Sequence, residues 1–446
     1  MIEIASARRA ESRPCRSPAA TSGGEAPSSG PRPRHPEFDA LRGTAILLVV
    51  TLHAALAYTR VDIPRLLWGV REPSPHAGFD LLSWWAMGVS VPLFFAMGGF
   101  FAARIEEERG PSAFLRNRAR RLVLPMLVAA PVILPLCFFA WAEGWLATGR
   151  CTFAEISRMR FFDPLIATDL YGPAHLWFLE YLVPMLGAFG WIRKARAGRA
   201  ARDRPGRAGR WCRKRIRADR PGATTGEGSR AWRWILGPWA PLAAAVPSTA
   251  LLLISRHGSA IDAALDRHNS FIPDPIRLLH FGLFFAFGVG LHRVRAGLET
   301  LAARGWWCLA ASIPAFGARA WLLPRDWSGQ PGGGASLALA ASGALFSWLA
   351  VFGLIGVYRR HFGRPSPTVR YLAEASFWIY LVHLPIVGLI QADLHPAPIP
   401  TALKFAIVWA ITLALGLSSY HVLVRRTALG RFLGGSAAPR AAPATG

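Results

Sequence analysis

Ten stretches of roughly 18–25 mostly apolar residues recur along this 446-residue chain, each about the length a helix needs to cross the ~30 Å hydrocarbon core of a bilayer. They lie at 38–58, 79–104, 122–142, 173–192, 232–255, 275–292, 304–323, 335–358, 371–391 and 400–424. With no water inside the bilayer, backbone N–H and C=O groups must be satisfied within each segment, and a helix does this. The chain therefore reads as an all-α polytopic integral membrane protein with about ten transmembrane helices. Pro92, Pro125, Pro131, Pro184, Pro247 and Pro385 do not argue against this, because neighbouring helices re-satisfy the groups that proline frees. A soluble chain with 52% hydrophobic residues and a mean hydropathy of +0.28 would expose too much apolar surface.

The charge pattern orients the segments. A net charge of +25 and a pI near 11.4 would point to nucleic acid in a soluble chain. Here the Lys and Arg fall mostly between apolar segments, so topology explains them and no nucleic-acid partner is predicted. With the N- and C-termini in the cytoplasm, the inner segments carry 35 Lys and Arg and the outer loops 9, as the positive-inside rule requires. The expected organisation is a basic, disordered tail over 1–36, a transmembrane domain over 37–425 and a second disordered tail over 426–446. Within the domain, 193–231 reads as a solvated cytoplasmic loop that enforces topology and touches anionic headgroups. A nucleic-acid or acyl-carrier contact is the alternative for that loop. The Arg/Ser/Pro/Gly-rich start lacks the apolar core of a secretory signal. Cys15, Cys137, Cys151, Cys212 and Cys308 are scattered, without CxxC or metal spacing. They argue for neither a disulfide framework nor a metal site, and no bound cofactor is predicted. No Walker motif, GxSxG elbow or internal repeat is visible.

Ionisable residues inside spans are costly and functional by default. The first segment holds Arg42 and His53, eleven positions apart on one helical stripe with Asp39, Ile46 and Val49. Eleven residues return to nearly the same face and separate the two side chains by ~16 Å along the axis. Arg42 thus lies near one membrane surface and the titratable imidazole deeper in. Two readings stand for each: an interfacial Asp39–Arg42 pair with an interhelical histidine, or a cationic binding group with a general base. Gly98 and Gly99 close the second segment, as a packing surface or a backbone-lined passage. Arg118 and Arg121, at i and i+3, are expected to share a face. They form a planar-donor cluster suited to phosphate or carboxylate, or ordinary inner-surface charge. His175, Trp177 and Glu180 open the fourth segment on the outer side, with Glu180 inside the bilayer. Ser376, Tyr380 and His383 form a polar stripe on the ninth, as an interhelical lock or part of a site. His280 stands alone in the sixth and reads as a packing or helix-to-helix residue.

At these residues the chain resembles the membrane acyltransferase-3 family. The motifs stand in order: FDALRG with His53 at the R-x10-H spacing, PLFF with GFF closing the second segment, Arg118 and Arg121 ahead of Pro125, HLWFL at 175–179, and SFWIYLVHLP at 376–385. The match covers about residues 36–425. HAALAY and VPLFFAMGGFF are similar in particular to the branch exemplified by glucan biosynthesis protein C succinyltransferases. The resemblance implies transfer of an acetyl or succinyl group from cytoplasmic acyl-CoA to a hydroxyl of an extracytoplasmic carbohydrate, in the bacterial inner membrane. It places the family's first-span Arg and His on Arg42 and His53, and its cytoplasmic Arg pair on Arg118 and Arg121. One departure is Gly98-Gly99-Phe100 where many members carry Ser-Gly-Phe, which removes any role of that hydroxyl. A hydrolase-like C-terminal domain found in some members is also not expected here.

Acyl transfer to a hydroxyl needs a grip on the donor, a base and oxyanion stabilisation. The expected roles are donor phosphate binding by Arg42, Arg118 and Arg121, and general base or acyl-carrying nucleophile for His53. Asp39, His175, Trp177, Glu180, Ser376, Tyr380 and His383 are expected to support them or to meet the acceptor. The competing class is a proton-coupled transporter or flippase, with His53 and Glu180 as a relay.

Overall fold

The computed structural model describes residues 35–61, 63, 66–202, 237–255, 269–327 and 333–433. Most of the two expected tails and of the 193–231 loop lies outside the described residues. Among those described, the regular structure is entirely helical. Helix α1 spans Pro36–Ala55 and ends in a 3-10 turn, Leu56–Tyr58. There follow α2 (Ala77–Arg109), α3 (Pro111–Arg118), a π-helical stretch Ala119–Val123, and α4 (Leu124–Ala147). Two short helices come next, α5 (Phe153–Arg158) and α6 (Pro164–Asp169), then a 3-10 turn Ala174–Leu176 and α7 (Trp177–Arg202). The second half is α8 (Ala240–Ile254), α9 (Pro275–Arg293), α10 (Arg295–Trp327), α11 (Gly333–His361) and α12 (Pro367–Leu394). It closes with α13 (Thr401–Ser419), a π stretch Tyr420–Val424 and α14 (Ala428–Phe432).

The ends of these helices are written in the sequence. Pro36, Pro111, Pro164, Pro275 and Pro367 stand in first turns, where proline's missing N–H costs nothing. Asp163, Asp274 and Ser366 accept from the free backbone N–H groups of α6, α9 and α12. Pro92, Pro131, Pro184, Pro247 and Pro385 all lie inside helices.

Among the described residues each of the ten expected segments falls on a helix, with 232–236 of the fifth lying outside them. Seven helical stretches are both long and apolar enough to cross a membrane, which makes the chain a multi-pass integral membrane protein. The fourth, fifth and seventh segments are not among those seven. Helices α7 and α10 extend beyond their apolar stretches into charged sequence, and α8 is 15 residues long. One expected loop is also helical. Residues 105–121 continue α2 to Arg109, turn at Gly110 with φ +78°, and enter α3. Glycine takes that backbone conformation without a Cβ clash and Pro111 restarts the helix.

Helix α1 sits at the centre, against α2, α11, α12 and α13. Burial separates the middle from the rim. In the most apolar stretch of α2, 83% is buried, against 17% in the Pro111–Ala147 stretch that shows its surface to lipid. The closest helix crossing joins α2 to α9. A Cβ on Gly99 would lie 1.9 Å from Phe285 O, and one on Gly288 1.8 Å from Ala96 O. Backbones meet there, as small residues permit in membrane helices.

The link from α1 to α2 is folded back on the bundle. Asp80 accepts from the backbone N–H of Arg60 and Val61, Glu72 N donates to Ala57 O, and His76 N donates to Tyr58 O. Buried Lys404 of α13 donates to Glu72 Oε1 at 2.9 Å. At the other end of α1, Arg359 donates to Glu37 and Thr44 Oγ1 lies 2.6 Å from the Tyr358 hydroxyl. Helix α1 is pinned at both ends.

The crossing yields a stability prediction. Gly99→Leu or Gly288→Leu forces backbones apart and destabilises by about 1–3 kcal/mol or more. Gly317→Ala, whose Cβ meets nothing within 4 Å, is expected to be neutral or to stabilise by up to about 1 kcal/mol. Thermal unfolding in detergent checks this, with a lowered midpoint for the first two and no lowering for the third.

Candidate active site

Three helical elements and one loop converge on His53. Its Nδ1 lies 3.0 Å from Val49 O and 3.0 Å from Nε2 of His383 on α12. His383 Nδ1 in turn lies 2.8 Å from Tyr380 O and 3.1 Å from Ile379 O. Carbonyls only accept, so His383 carries its hydrogen on Nδ1, and in the neutral ring Nε2 is an acceptor. His53 then donates from Nδ1 to His383 and Val49. Its remaining nitrogen, Nε2, is left with a lone pair. The geometry selects one tautomer for each imidazole and leaves one basic nitrogen uncommitted.

A third imidazole backs the pair. His175, in the 3-10 turn before α7, packs edge-on to His383 with ring centroids 5.1 Å apart. Its Nε2 donates to Leu381 O at 3.2 Å. That carbonyl is available because Pro385, four residues on, has no N–H to give it. The Tyr380 hydroxyl donates to His175 O at 2.7 Å. One proline thus ties α12 to the start of α7. Among the described residues no group of three His, Cys, Asp or Glu side chains is arranged to hold a metal ion.

Arg42 lies three turns away on the same face of α1. It donates from Nη2 to Ser376 Oγ at 3.2 Å, and the carboxylates of Asp39 and Glu374 act on it electrostatically. Arg118 is held by Nε and Nη2 donation to Asn117 Oδ1, with 3.2 Å for Nε, and stacks over Phe114 at 5.9 Å.

One cavity joins these two ends. It holds about 1140 Å³ of empty space, its open mouth included, and is lined by Arg42, Arg118, Ser376, His53, His175, Trp177 and Tyr380. Between them the walls are apolar, from Val49, Leu52, Val91, Phe94, Met97, Leu122, Phe178 and Leu182. Two cationic side chains therefore stand at one end of an apolar channel and an imidazole with an open lone pair at the other.

The expected residues divide between lining and support. His383 is fully buried behind His53 and orients it. Asp39 stands beside Arg42, and Glu180 is half-buried in α7; neither lines the cavity. Arg121 is exposed and off the lining, although its charge still acts on Arg118. The π-helical stretch Ala119–Val123 begins between them, and its turn is wider than that of an α-helix. The two glycines divide as well. Gly99 is a packing contact, whereas Gly98 lines the cavity, its nearest neighbour being the Leu182 side chain. His280 is buried against Phe281 and Phe284, as a packing residue.

Two residues at the site lay outside the sequence reading. Trp68 lies nearly parallel to the His53 ring, at 11° with centroids 5.8 Å apart, and Gln391 donates to His53 O and Ala54 O. Gln391 carried a signal, being a polar residue in an apolar span two turns beyond His383. Trp68 sits in irregular sequence and carried none.

A sequence profile described as an acyltransferase domain matches residues 35–421. The chain is similar to "Glucans biosynthesis protein C" of Salmonella paratyphi B, Salmonella heidelberg and Salmonella schwarzengrund. Each is 26% identical over 171 residues, which is 37% of this chain and 42% of the relative. The chain thus spans less than half the length of the curated relatives it matches. No solved structure matches.

Lining and packing separate in an experiment on adjacent residues. Gly98→Leu projects a side chain from the cavity wall, its Cβ nearest the flexible end of Leu182. It is expected to keep a near-wild-type unfolding midpoint and to slow modification of His53 by diethyl pyrocarbonate about tenfold or more, a barrier of ~1.4 kcal/mol. Peptide mass spectrometry reads the label; unchanged labelling of His53 contradicts access through this cavity.

Proposed function

The chain belongs to the acyltransferase domain family, and on that premise we propose that it is a bacterial inner-membrane O-acyltransferase. It takes a short acyl group, acetyl or succinyl, from cytoplasmic acyl-CoA and delivers it to a hydroxyl of an extracytoplasmic carbohydrate. The observation that carries this reading is the single cavity with Arg42 and Arg118 at one end and the open nitrogen of His53 at the other. The excess of Lys and Arg on the segments assigned to the cytoplasm supports the orientation, with the arginine end inward.

In this reading the guanidinium groups hold the donor's phosphates through charge-assisted hydrogen bonds. The apolar walls take the pantetheine arm, so the thioester comes to His53. His53 Nε2 accepts the proton of the sugar hydroxyl as that oxygen attacks the thioester carbonyl. The new C–O ester bond forms, the C–S bond breaks, and the proton passes from the imidazolium to the departing thiolate. His383 accepts from His53 Nδ1 throughout and stabilises the imidazolium. Asp39 and Ser376 position Arg42, while His175, Trp177 and Tyr380 line the His53 end where the acceptor meets the channel. Glu180 stands beside that region as a supporting residue, and Arg121 adds inner-surface charge near the donor entrance.

Reconstituted protein supplied with radiolabelled acetyl-CoA or succinyl-CoA and glucose oligosaccharides tests this. Covalent label on the sugar is expected, where a carrier moves label without bond formation. His53→Gln is expected to lower kcat by about 10²–10⁴-fold with little change in KM for the donor. Arg42→Ala and Arg118→Ala each raise that KM, by about 10–100-fold, if each loses a charge-assisted bond of about 1.5–3 kcal/mol. Full transfer by His53→Gln overturns the assignment of the base; unchanged donor KM in both arginine variants overturns the donor site.

A further inference from the structure

Histidine's ring torsion is broad and roughly two-fold, so the rotamer alone does not set the plane of His53 or keep Nδ1 on His383. Contacts on the ring face must do so. The ring that lies along that face is Trp68, in the irregular segment between α1 and α2.

Trp68 is itself held from two sides. Its Nε1 donates to Gln391 Oε1 at 2.9 Å, and its carbonyl accepts from Trp145 Nε1 at 3.0 Å. Four residues on, the same segment is tied to α13 by the buried Glu72–Lys404 pair. Gln391 completes the arrangement from α12. Its Nε2 donates to Ala54 O at 3.0 Å and His53 O at 3.3 Å, carbonyls at the end of α1 where helical donors run out. An indole N–H only donates and carbonyls only accept, so the orientation of the amide is fixed. One amide side chain therefore fixes both the backbone that carries His53 and the indole beside its ring.

We propose that Trp68 and Gln391 form a clamp that sets the plane of the His53 imidazole, with Trp68 a positioning residue for acyl transfer. This rests on the reading of His53 as the base. Hydrogen bonds at Nδ1 hold one edge of the ring, and the indole holds its face. The arrangement also serves the protonated ring. A cation within ~6 Å of an indole is stabilised by its quadrupole, and His53 becomes such a cation when it takes the hydroxyl proton.

The test compares Trp68→Leu, Trp68→Phe and Gln391→Leu in the full-length protein. The first readout needs no substrate: spectra of ring-15N-histidine protein, with His53 assigned by difference against His53→Gln. Wild type and Trp68→Phe are expected to show one Nδ1–H tautomer at His53, and Trp68→Leu and Gln391→Leu a mixture. The second readout is transfer from acetyl-CoA to glucose oligosaccharides. Trp68→Leu and Gln391→Leu are expected to lower kcat about 3- to 30-fold without changing the donor KM, and Trp68→Phe to restore most of it. A folded Trp68→Leu with the wild-type tautomer and kcat overturns the proposal, as does a Trp68→Phe as impaired as Trp68→Leu. Where Trp68→Leu fails to fold, Gln391→Leu decides, and a wild-type tautomer in it overturns the proposal. If His53→Gln retains transfer, the base assignment fails, and the spectra still decide the clamp.

Discussion

An imidazole inside a hydrocarbon-embedded bundle has to place both of its nitrogens, and the rest of this site follows from how His53 does so. Its Nδ1 is committed to His383 and Val49 O, and His383 is committed to the carbonyls of Ile379 and Tyr380. The chain of donors ends on backbone oxygen, which has no proton to return. A direction is thereby imposed on every hydrogen in it, and the open lone pair comes out on His53 Nε2. The scaffold beneath is held by the same accounting of polar groups. Pro385 withholds a donor from Leu381 O, His175 supplies one, and Tyr380 closes back on His175.

The separation of charge along α1 is the second consequence of the same helix. Arg42 stands about 16 Å from His53 in terms of helix rise, and Arg118 lines the same cavity, whose walls between are apolar. The donor proposed above, with a charged head and a reactive tail, would use such a channel along its length. Exclusion of water around the tail strengthens the electrostatic interactions that act on the reacting atoms.

Much of this was legible as periodicity. The Arg42–His53 stripe and the Ser376–Tyr380–His383 stripe each rest on helical spacing, and both helices formed as read. Among the described residues every apolar segment became helical, because length and apolarity leave a membrane chain little choice. What escaped was whatever broke that period. A π turn lies between cavity-lining Arg118 and exposed Arg121, and the 105–121 stretch became helix around a positive-φ glycine. Trp68 lies in a segment with no period at all, placed by Gln391, Trp145 and the Glu72–Lys404 pair from three different helices. Gly98 and Gly99 show the limit most sharply. As neighbours of one type they are indistinguishable in the sequence, yet one faces a cavity and the other a backbone.

Proton traffic is where transfer and transport part. A proton-coupled carrier needs a path of groups that each take up and release a proton across the bilayer. Acyl transfer needs only one such group, since the proton leaving the hydroxyl ends on the thiol of the same reaction. In the acyl-transfer reading proposed above, the imidazoles behind His53 serve the second case. His383 Nδ1 and His175 Nε2 are both spent on backbone carbonyls, and the other nitrogen of His175 faces the Cys137 thiol at 4.0 Å. A relay through His175 has to break its bond to Leu381 O, and with it the partner that Pro385 withheld. On the proposed reading, two imidazoles held fixed so that a third has one free nitrogen would serve a single proton transfer at one place in the channel.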